Sequence, residues 1–365
     1  MIGYYVHHHG LGHLTRLQAV AEHLRSPVTG LSSLPAPRSW DQEWVHLDRD
    51  DRVPPAAALL ADPTAHGVLH WAPRHDPGLA DRMAAVAAWI RRARPSIVVV
   101  DVSVEIAVLS RLCGVPVVVL AMPGVRTDRT HALAYDLADG LLAPWPETAH
   151  TEGWPQSWLA KLWAVGALSR FDGRGPARTP GENSGHAAGT DALHVDRFVG
   201  APRAGAAARR VLLLWGGGGR GTSGAQVAAA RAATPGWDWV ERGPGSPSPD
   251  LWADLAAADV VVTHGGQNAV AEVAAARRPA VVVAQPRPFD EQVATARAVD
   301  RLGVAVGLET WPEAASWPGL LDRALRRGGE GWAAWSTGHG AESAATRLDA
   351  LADRQCPETA AGAAS

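Results

Sequence analysis

The sequence predicts an α/β protein built of two Rossmann-like, doubly wound domains. Three observations carry this. Short β-branched runs alternate with helix-length stretches, and a glycine-rich loop follows the first strand of each half. Between Ser169 and Gly205 the apolar periodicity stops and Gly, Pro, Arg, Ser and Asn dominate, which reads as a break between domains. A chain of 365 residues has room for two or three domains.

Taken in order, Ile2 to Val6 is a short apolar run and reads as the first strand. A helix follows from about Leu14 to Leu24, where Leu14, Leu17, Ala21 and Leu24 recur at helical spacing. The stretch from Leu31 to Pro77 is rich in Pro and Trp, weakly periodic, and supports no assignment. Ile97 to Val100 is a continuous β-branched run, the pattern of a strand buried on both faces. Val104 to Leu112 is helical and Val115 to Leu120 is the next strand. Strands separated by helices imply a parallel sheet with right-handed crossovers. The pattern restarts at Val211 to Trp215, a strand that runs into Gly216-Gly217-Gly218-Gly219. Helix Ser223 to Ala233, strand Asp259 to Thr263, helix Gly266 to Ala276, strand Ala280 to Ala284 and helix Glu291 to Leu302 follow. The expected division is an N-terminal domain over 1–170, a linker over 171–205, a second domain over 206–330 and a C-terminal segment over 331–365. The tail after about Asp353 is rich in Ala, Gly and Ser and is expected to be disordered.

Composition narrows the function classes. With 47% hydrophobic and 19% charged residues the chain supports a full core, which excludes disorder over most of its length. A net charge of −3 argues against a general nucleic-acid binder. Two cysteines, Cys113 and Cys356, make no disulfide framework, and Cys113 in its apolar stretch is expected to be buried. The N-terminus lacks a basic region followed by an apolar one, and no run of about 18 apolar residues occurs. The expected location is therefore the cytoplasm. The triple histidine His7 to His9 follows a strand and leads into a glycine loop, so it reads as part of the fold.

Four constellations carry chemistry. Gly10-Leu11-Gly12-His13, continued by Leu14-Thr15-Arg16, lies where a parallel strand ends and a helix begins, a preferred ligand position in open α/β sheets. Its glycines let a ligand approach the backbone, and His13 is placed to act as a base. Thr263-His264-Gly265-Gly266-Gln267-Asn268 opens another helix, whose N-terminus suits a phosphate; Glu272, two turns on, suits the hydroxyls of a ribose. Gln285 to Gln292 follows a strand and offers Glu291 and Gln292 to sugar hydroxyls, with Asp290 also suited to cap the helix. Gly216 to Gly221, including Gly217, Gly218 and Arg220, is an anion nest in type, with Arg220 suited to a diphosphate or to solvent. The dinucleotide and P-loop spacings are both absent.

These residues resemble a known family. Val260 to Leu308 is similar to the donor-binding region of GT-B glycosyltransferases, above all family 28, which includes the peptidoglycan N-acetylglucosaminyltransferase, and the related family 1. The matching positions are His264-Gly265-Gly266, Asn268, Glu272, Pro279, Glu291-Gln292 and Leu302-Gly303-Val304. Arg277 stands where Gly is usual, Thr295 where Asn is usual, and Gly216 to Gly219 where the first loop usually carries Ser or Thr. Gly10-Leu11-Gly12-His13 resembles the acceptor-side loop of the same families, and its His-Leu-Thr-Arg continuation is also similar to UDP-sugar hydrolases of the same fold. The resemblance implies a GT-B fold, with two domains facing across a cleft and the last helix, Ala341 to Leu351, crossing back. It implies an inverting transferase with His13 as base and Gly10, Gly12 and Arg16 around the acceptor. The nucleotide-sugar, expected to be a UDP-sugar, would lie on the second domain with Glu272 at the ribose, His264 at the diphosphate and Glu291 and Gln292 at the sugar. No Asp-x-Asp motif appears in a suitable loop, so neither a metal nor another cofactor is expected. The acceptor is open between a lipid-linked and a small molecule; a lipid would mean peripheral membrane contact, for which Trp40, Trp44, Trp71 and Trp89 offer an apolar region. Two alternatives remain at this stage: a nucleotide-sugar hydrolase on the same fold, and a non-catalytic sugar-nucleotide-binding partner.

Overall fold

The computed structural model describes residues 1–51, 62–149, 153–177 and 208–355. Most of the expected linker, Cys356 and the rest of the tail lie outside the described residues. The first half alternates β1 (Ile2–Val6), α1 (Gly12–Ala21), β2 (Val28–Ser32), β3 (Trp44–His46), α2 (Pro77–Ala93), β4 (Ile97–Asp101), α3 (Val104–Leu112), β5 (Val117–Leu120), α4 (Arg129–Leu137), β6 (Gly140–Ala143), α5 (Gln156–Leu159) and β7 (Leu162–Ala164). Its strands form one parallel seven-stranded sheet in the order β3-β2-β1-β4-β5-β6-β7. The second half contains β8 (Arg209–Leu214), α6 (Gly224–Ala233), β9 (Trp237–Arg242), α7 (Leu251–Ala257), β10 (Val260–His264), α8 (Gln267–Ala276), β11 (Ala280–Val283), α9 (Glu291–Arg301), β12 (Val306–Leu308), α10 (Trp317–Arg327) and α11 (Gly340–Arg354). Its parallel sheet runs β12-β11-β10-β8-β9.

Local chemistry explains the boundaries. Asp76 accepts from Leu79 N at 2.7 Å and Pro77 opens the first turn, so α2 starts there. Ser223 and Gln226 form a reciprocal capping box at α6. Just where the unassigned stretch begins, β2 escapes a pattern reading because Gly30 interrupts it. That glycine is required: a Cβ would sit 2.3 Å from the Trp44 ring. Two corrections follow. Cys113 is exposed, because it caps the end of α3 on the solvent side just before Gly114 turns the chain at φ +80°. Asp290 makes no capping bond to α9; its own backbone is left-handed, at φ +53°.

The central strands β4, β5, β10 and β11 are buried on both faces and are therefore near-continuous Val, Ile and Leu. One face of the first sheet packs against α1 and α11, the last helix among the described residues, through Leu17, Val20, Ala344 and Leu348. Asp349 of α11 ties this down by accepting from the backbone N–H groups of Arg25 and Ser26 at 2.9 and 3.1 Å. Trp89 lies in the core, while Trp40 and Trp44 are half-buried against the α1 and α11 cluster and Trp71 donates to Asp50 O. The four rings therefore make no exposed apolar patch.

Candidate active site

In each sheet the strand order reverses between two central strands, and loops at that point leave an open crevice at the carboxyl edge. The reversals fall between β1 and β4 and between β8 and β10. All four loops contribute. Val6 of β1 pairs with Asp101 of β4, which sets Asp101 beside the loop that carries His13. Asp101 is fully buried. It accepts from His13 Nδ1 at 2.8 Å, from Arg16 Nε at 3.1 Å and from Arg16 Nη2 at 2.9 Å. Burial would raise its pKa, but Arg16 and then His13 outweigh that and hold it below the carboxylate range, so it is ionised. The next residue, Val102, has φ +58°, a strained conformation for a β-branched side chain that costs about 1–3 kcal/mol.

The His13 ring faces two competing partners, since Arg16 Nη2 also lies 2.7 Å from Nδ1. We place the proton on Nδ1. Asp101 can only accept, whereas Arg16 already has Asp101 and Gln267 Oε1 as acceptors. Nε2 then carries the lone pair. Asp101 is a site residue that pattern reading missed; the available signal was an acidic residue ending an otherwise apolar strand.

In the second domain His264 ends β10 and is clamped between two glycines. A Cβ at Gly216 would fall 2.4 Å from its Nε2, and one at Gly266 2.3 Å from its Cε1. Gly266 N–H donates to Nδ1 at 3.0 Å, which puts the proton of the neutral ring on Nε2. Burial, then the charge of Arg287, lower the pKa of His264 to about 4, so the ring is neutral at pH 7. Its Nε2 has no partner.

The other expected residues are differently engaged. Glu272 is neither solvated nor alone: Arg170 pairs with its Oε1 at 2.8 Å. Burial raises its pKa against the pull of that arginine. Glu291 pairs with Arg126 of the first domain at 3.1 Å. Gln292 turns its Oε1 inward and accepts from Gly265 N and Gln285 N at 3.1 and 3.0 Å, so it shapes the loop. Asn268 reaches across to Gly12 O at 3.2 Å, and Arg16 to Gln267 at 2.9 Å. Arg220 is committed to Glu241 and lies over Trp215. Gly10 and Gly219 turn the chain at φ +84° and +88°, and Gly217 borders open space. With Val125 N donating to Phe289 O at 2.8 Å, these contacts hold the two domains face to face. A small pocket of about 20 Å³ lies in the cleft beside Gln267, lined by Pro123, Pro144, Trp145, Val270 and Trp335 among others.

Two groups of side chains among the described residues are close enough to hold a cation: His8, His9 and Asp51, and His70, Asp128 and His131. In both, arginine already supplies positive charge. Arg49 and Arg82 pair with Asp51 and Asp50, and Arg126 Nη1 lies 3.0 Å from His131 Nε2. No helix among the described residues is long and apolar enough to cross a membrane.

Residues 248–314 match the glycosyltransferase family 28 C-terminal domain. No curated protein matches the chain. Among solved structures, the calicheamicin glycosyltransferase CalG4 is similar at 16% identity and a TM-score of 0.58, over 98% of this chain and 99% of that one. The spinosyn rhamnosyltransferase SpnG in complex with spinosyn aglycone aligns at 17% identity and 0.56, over 97% of each chain. MurG of Acinetobacter baumannii aligns at 14% and 0.54, over 97% of this chain and 99% of that one. SpnG has also been solved with thymidine diphosphate. At these identities the likeness establishes the fold, with two parallel-sheet domains over the whole length.

Proposed function

We propose, from a GT-B fold in which residues 248–314 match the glycosyltransferase family 28 C-terminal domain, that this chain moves a sugar from a nucleotide-sugar to an acceptor hydroxyl with inversion. The observation that carries the reading is the 2.8 Å pair of buried Asp101 with the partly exposed His13, facing the His264 loop across one cleft. His13 Nε2 takes the proton of the acceptor hydroxyl. The oxygen attacks the anomeric carbon, and the bond to the diphosphate breaks with its electron pair leaving on phosphate. Asp101 holds the ring in the productive tautomer and stabilises the cation that forms, the general logic of a base oriented by a carboxylate.

The donor's nucleotide lies against the N-terminus of α8, where backbone N–H groups and His264 Nε2–H meet the diphosphate without need of a metal. Glu272 takes the ribose, and Glu291 the sugar, each while keeping or exchanging its arginine. The aglycone bound to the similar SpnG supports a small-molecule acceptor. Relatives of this fold have been solved with thymidine diphosphate and with UDP-2-fluoro-glucose, so both uridine and thymidine donors are to be tried.

The test is calorimetric titration of UDP, TDP and GDP, with Mg²⁺ and with EDTA, into wild type and Glu272→Ala. One nucleotide is expected to bind equally in both conditions and to lose most of its affinity in the variant. Absence of binding by all three would refute the donor site. With a turned-over acceptor in hand, His13→Ala is expected to abolish transfer and spare donor binding.

A further inference from the structure

We propose that Arg287 is the cationic partner of the donor's diphosphate and stands in for the hydroxyl-bearing residue absent from the Gly216–Gly219 loop. This rests on the donor-site reading above and names the group that supplies its charge.

Arg287 lies just beyond β11. Its Nη2 donates to Gly218 O at 2.6 Å and to Gln285 Oε1 at 3.2 Å. Both acceptors are neutral, and among the described residues no carboxylate pairs with this guanidinium. Arg220, the other arginine beside the loop, is neutralised by Glu241. Of the two, only Arg287 keeps its charge for a ligand.

The surroundings point the same way. His264 Nε2 and Gln285 Nε2 are buried donors without partners, on side chains of residues only 9% and 4% exposed. A buried donor left unpaired costs about 1–3 kcal/mol, so two beside one loop call for a shared acceptor. The three groups converge under the glycine loop. A Cβ at Gly218 would lie 2.6 Å from Arg287 Nη2, and one at Gly221 2.9 Å from Gln285 Cγ. With Gly216 closing on His264, a Ser or Thr has little room at positions 216 and 218, while Gly217 borders open space. Two N–H donors and one uncompensated cation, with no carboxylate among them, define a site for a multiply charged anion.

The experiment compares wild type, Arg287→Ala, Arg287→Lys and Arg220→Ala. Calorimetry follows UDP, TDP and GDP beside uridine, thymidine and guanosine, with unfolding curves to check each variant. Arg287→Ala is expected to weaken the bound nucleoside diphosphate about 10- to 100-fold, the value of a charge-assisted bond, and to change the nucleoside less than threefold. Its affinity should also fall less steeply with salt. Arg287→Lys should recover part of the loss, and Arg220→Ala should stay within about threefold of wild type. Unchanged diphosphate affinity in Arg287→Ala would overturn the assignment, as would equal losses for diphosphate and nucleoside, or a loss confined to Arg220→Ala. If wild type binds no nucleotide, the donor-site reading itself falls and takes this inference with it.

Discussion

Replacing Asp101 by Asn keeps the shape of the side chain and removes its charge. In the folded protein that carboxylate accepts three bonds from His13 and Arg16, and both Asp101 and Arg16 are buried. The variant leaves the Arg16 guanidinium charged and uncompensated, a change worth about 3–5 kcal/mol of stability. At about 2–4 °C per kcal/mol for a unit of this size, the melting temperature should drop by roughly 6–20 °C. Urea unfolding at pH 7 measures the loss, and Arg16→Met alone and combined completes a cycle. The double variant should lose less than the two singles added, by about 2 kcal/mol, because removing both charges leaves none unpaired. The sign with pH is determined. The folded pKa of Asp101 lies below its ordinary 3.8, so its contribution is fully present above 3.8 and is lost as pH falls from there through the lower folded value. Asp101→Asn should therefore show a smaller acid-induced loss than wild type. Transfer should fall about 10²- to 10⁴-fold with the loss of an oriented base. A loss below about 1 kcal/mol together with an additive cycle would refute the buried-pair reasoning.

Further expectations follow from burial and capping. His264 is neutral when folded, with a pKa near 4 against 6.5 unfolded, so stability should fall as pH drops from 6.5 to 4, by up to about 3 kcal/mol from this residue. The difference in unfolding free energy between wild type and His264→Asn across that window measures it; a constant difference would refute the burial. Cys113 should react with iodoacetamide in the native protein at a rate near that of a free thiol, read by peptide mass spectrometry, and protection until unfolding would contradict its exposure. Ser223→Ala breaks the capping box of α6 and should cost about 1 kcal/mol in urea unfolding, whereas no change would show that the helix end is held by packing alone.

Much of the fold was legible because its signals are local. Ile97 to Val100 and Val260 to Val262 are β-branched runs whose character does not depend on what covers them. The glycines beside His264 were legible too, since residue type and spacing alone mark the turn from β10 into α8. What stayed hidden had weak local signals. Gly30 breaks the pattern of β2 for the sake of a ring that arrives from β3, and β9, with Asp238 and Glu241 among its tryptophans, does not read as a buried strand. Cys113 sits in apolar sequence, yet the end of α3 leaves it in solvent.

The sequence by itself determined two parallel-sheet halves and the glycine loops at the ends of their strands. Only the tertiary structure decided how the polar side chains are paired. His13 meets Asp101 because β1 and β4 are neighbours in a register that aligns Val6 with Asp101. Glu272 and Glu291 meet Arg170 and Arg126 because the two domains close on one another. Arg220 is spent on Glu241 while Arg287 is not, although both stand beside the same glycines. A charge's role depends on its nearest counter-charge, and that neighbour is chosen by strand order, register and domain closure, none of which a residue's own position along the chain encodes.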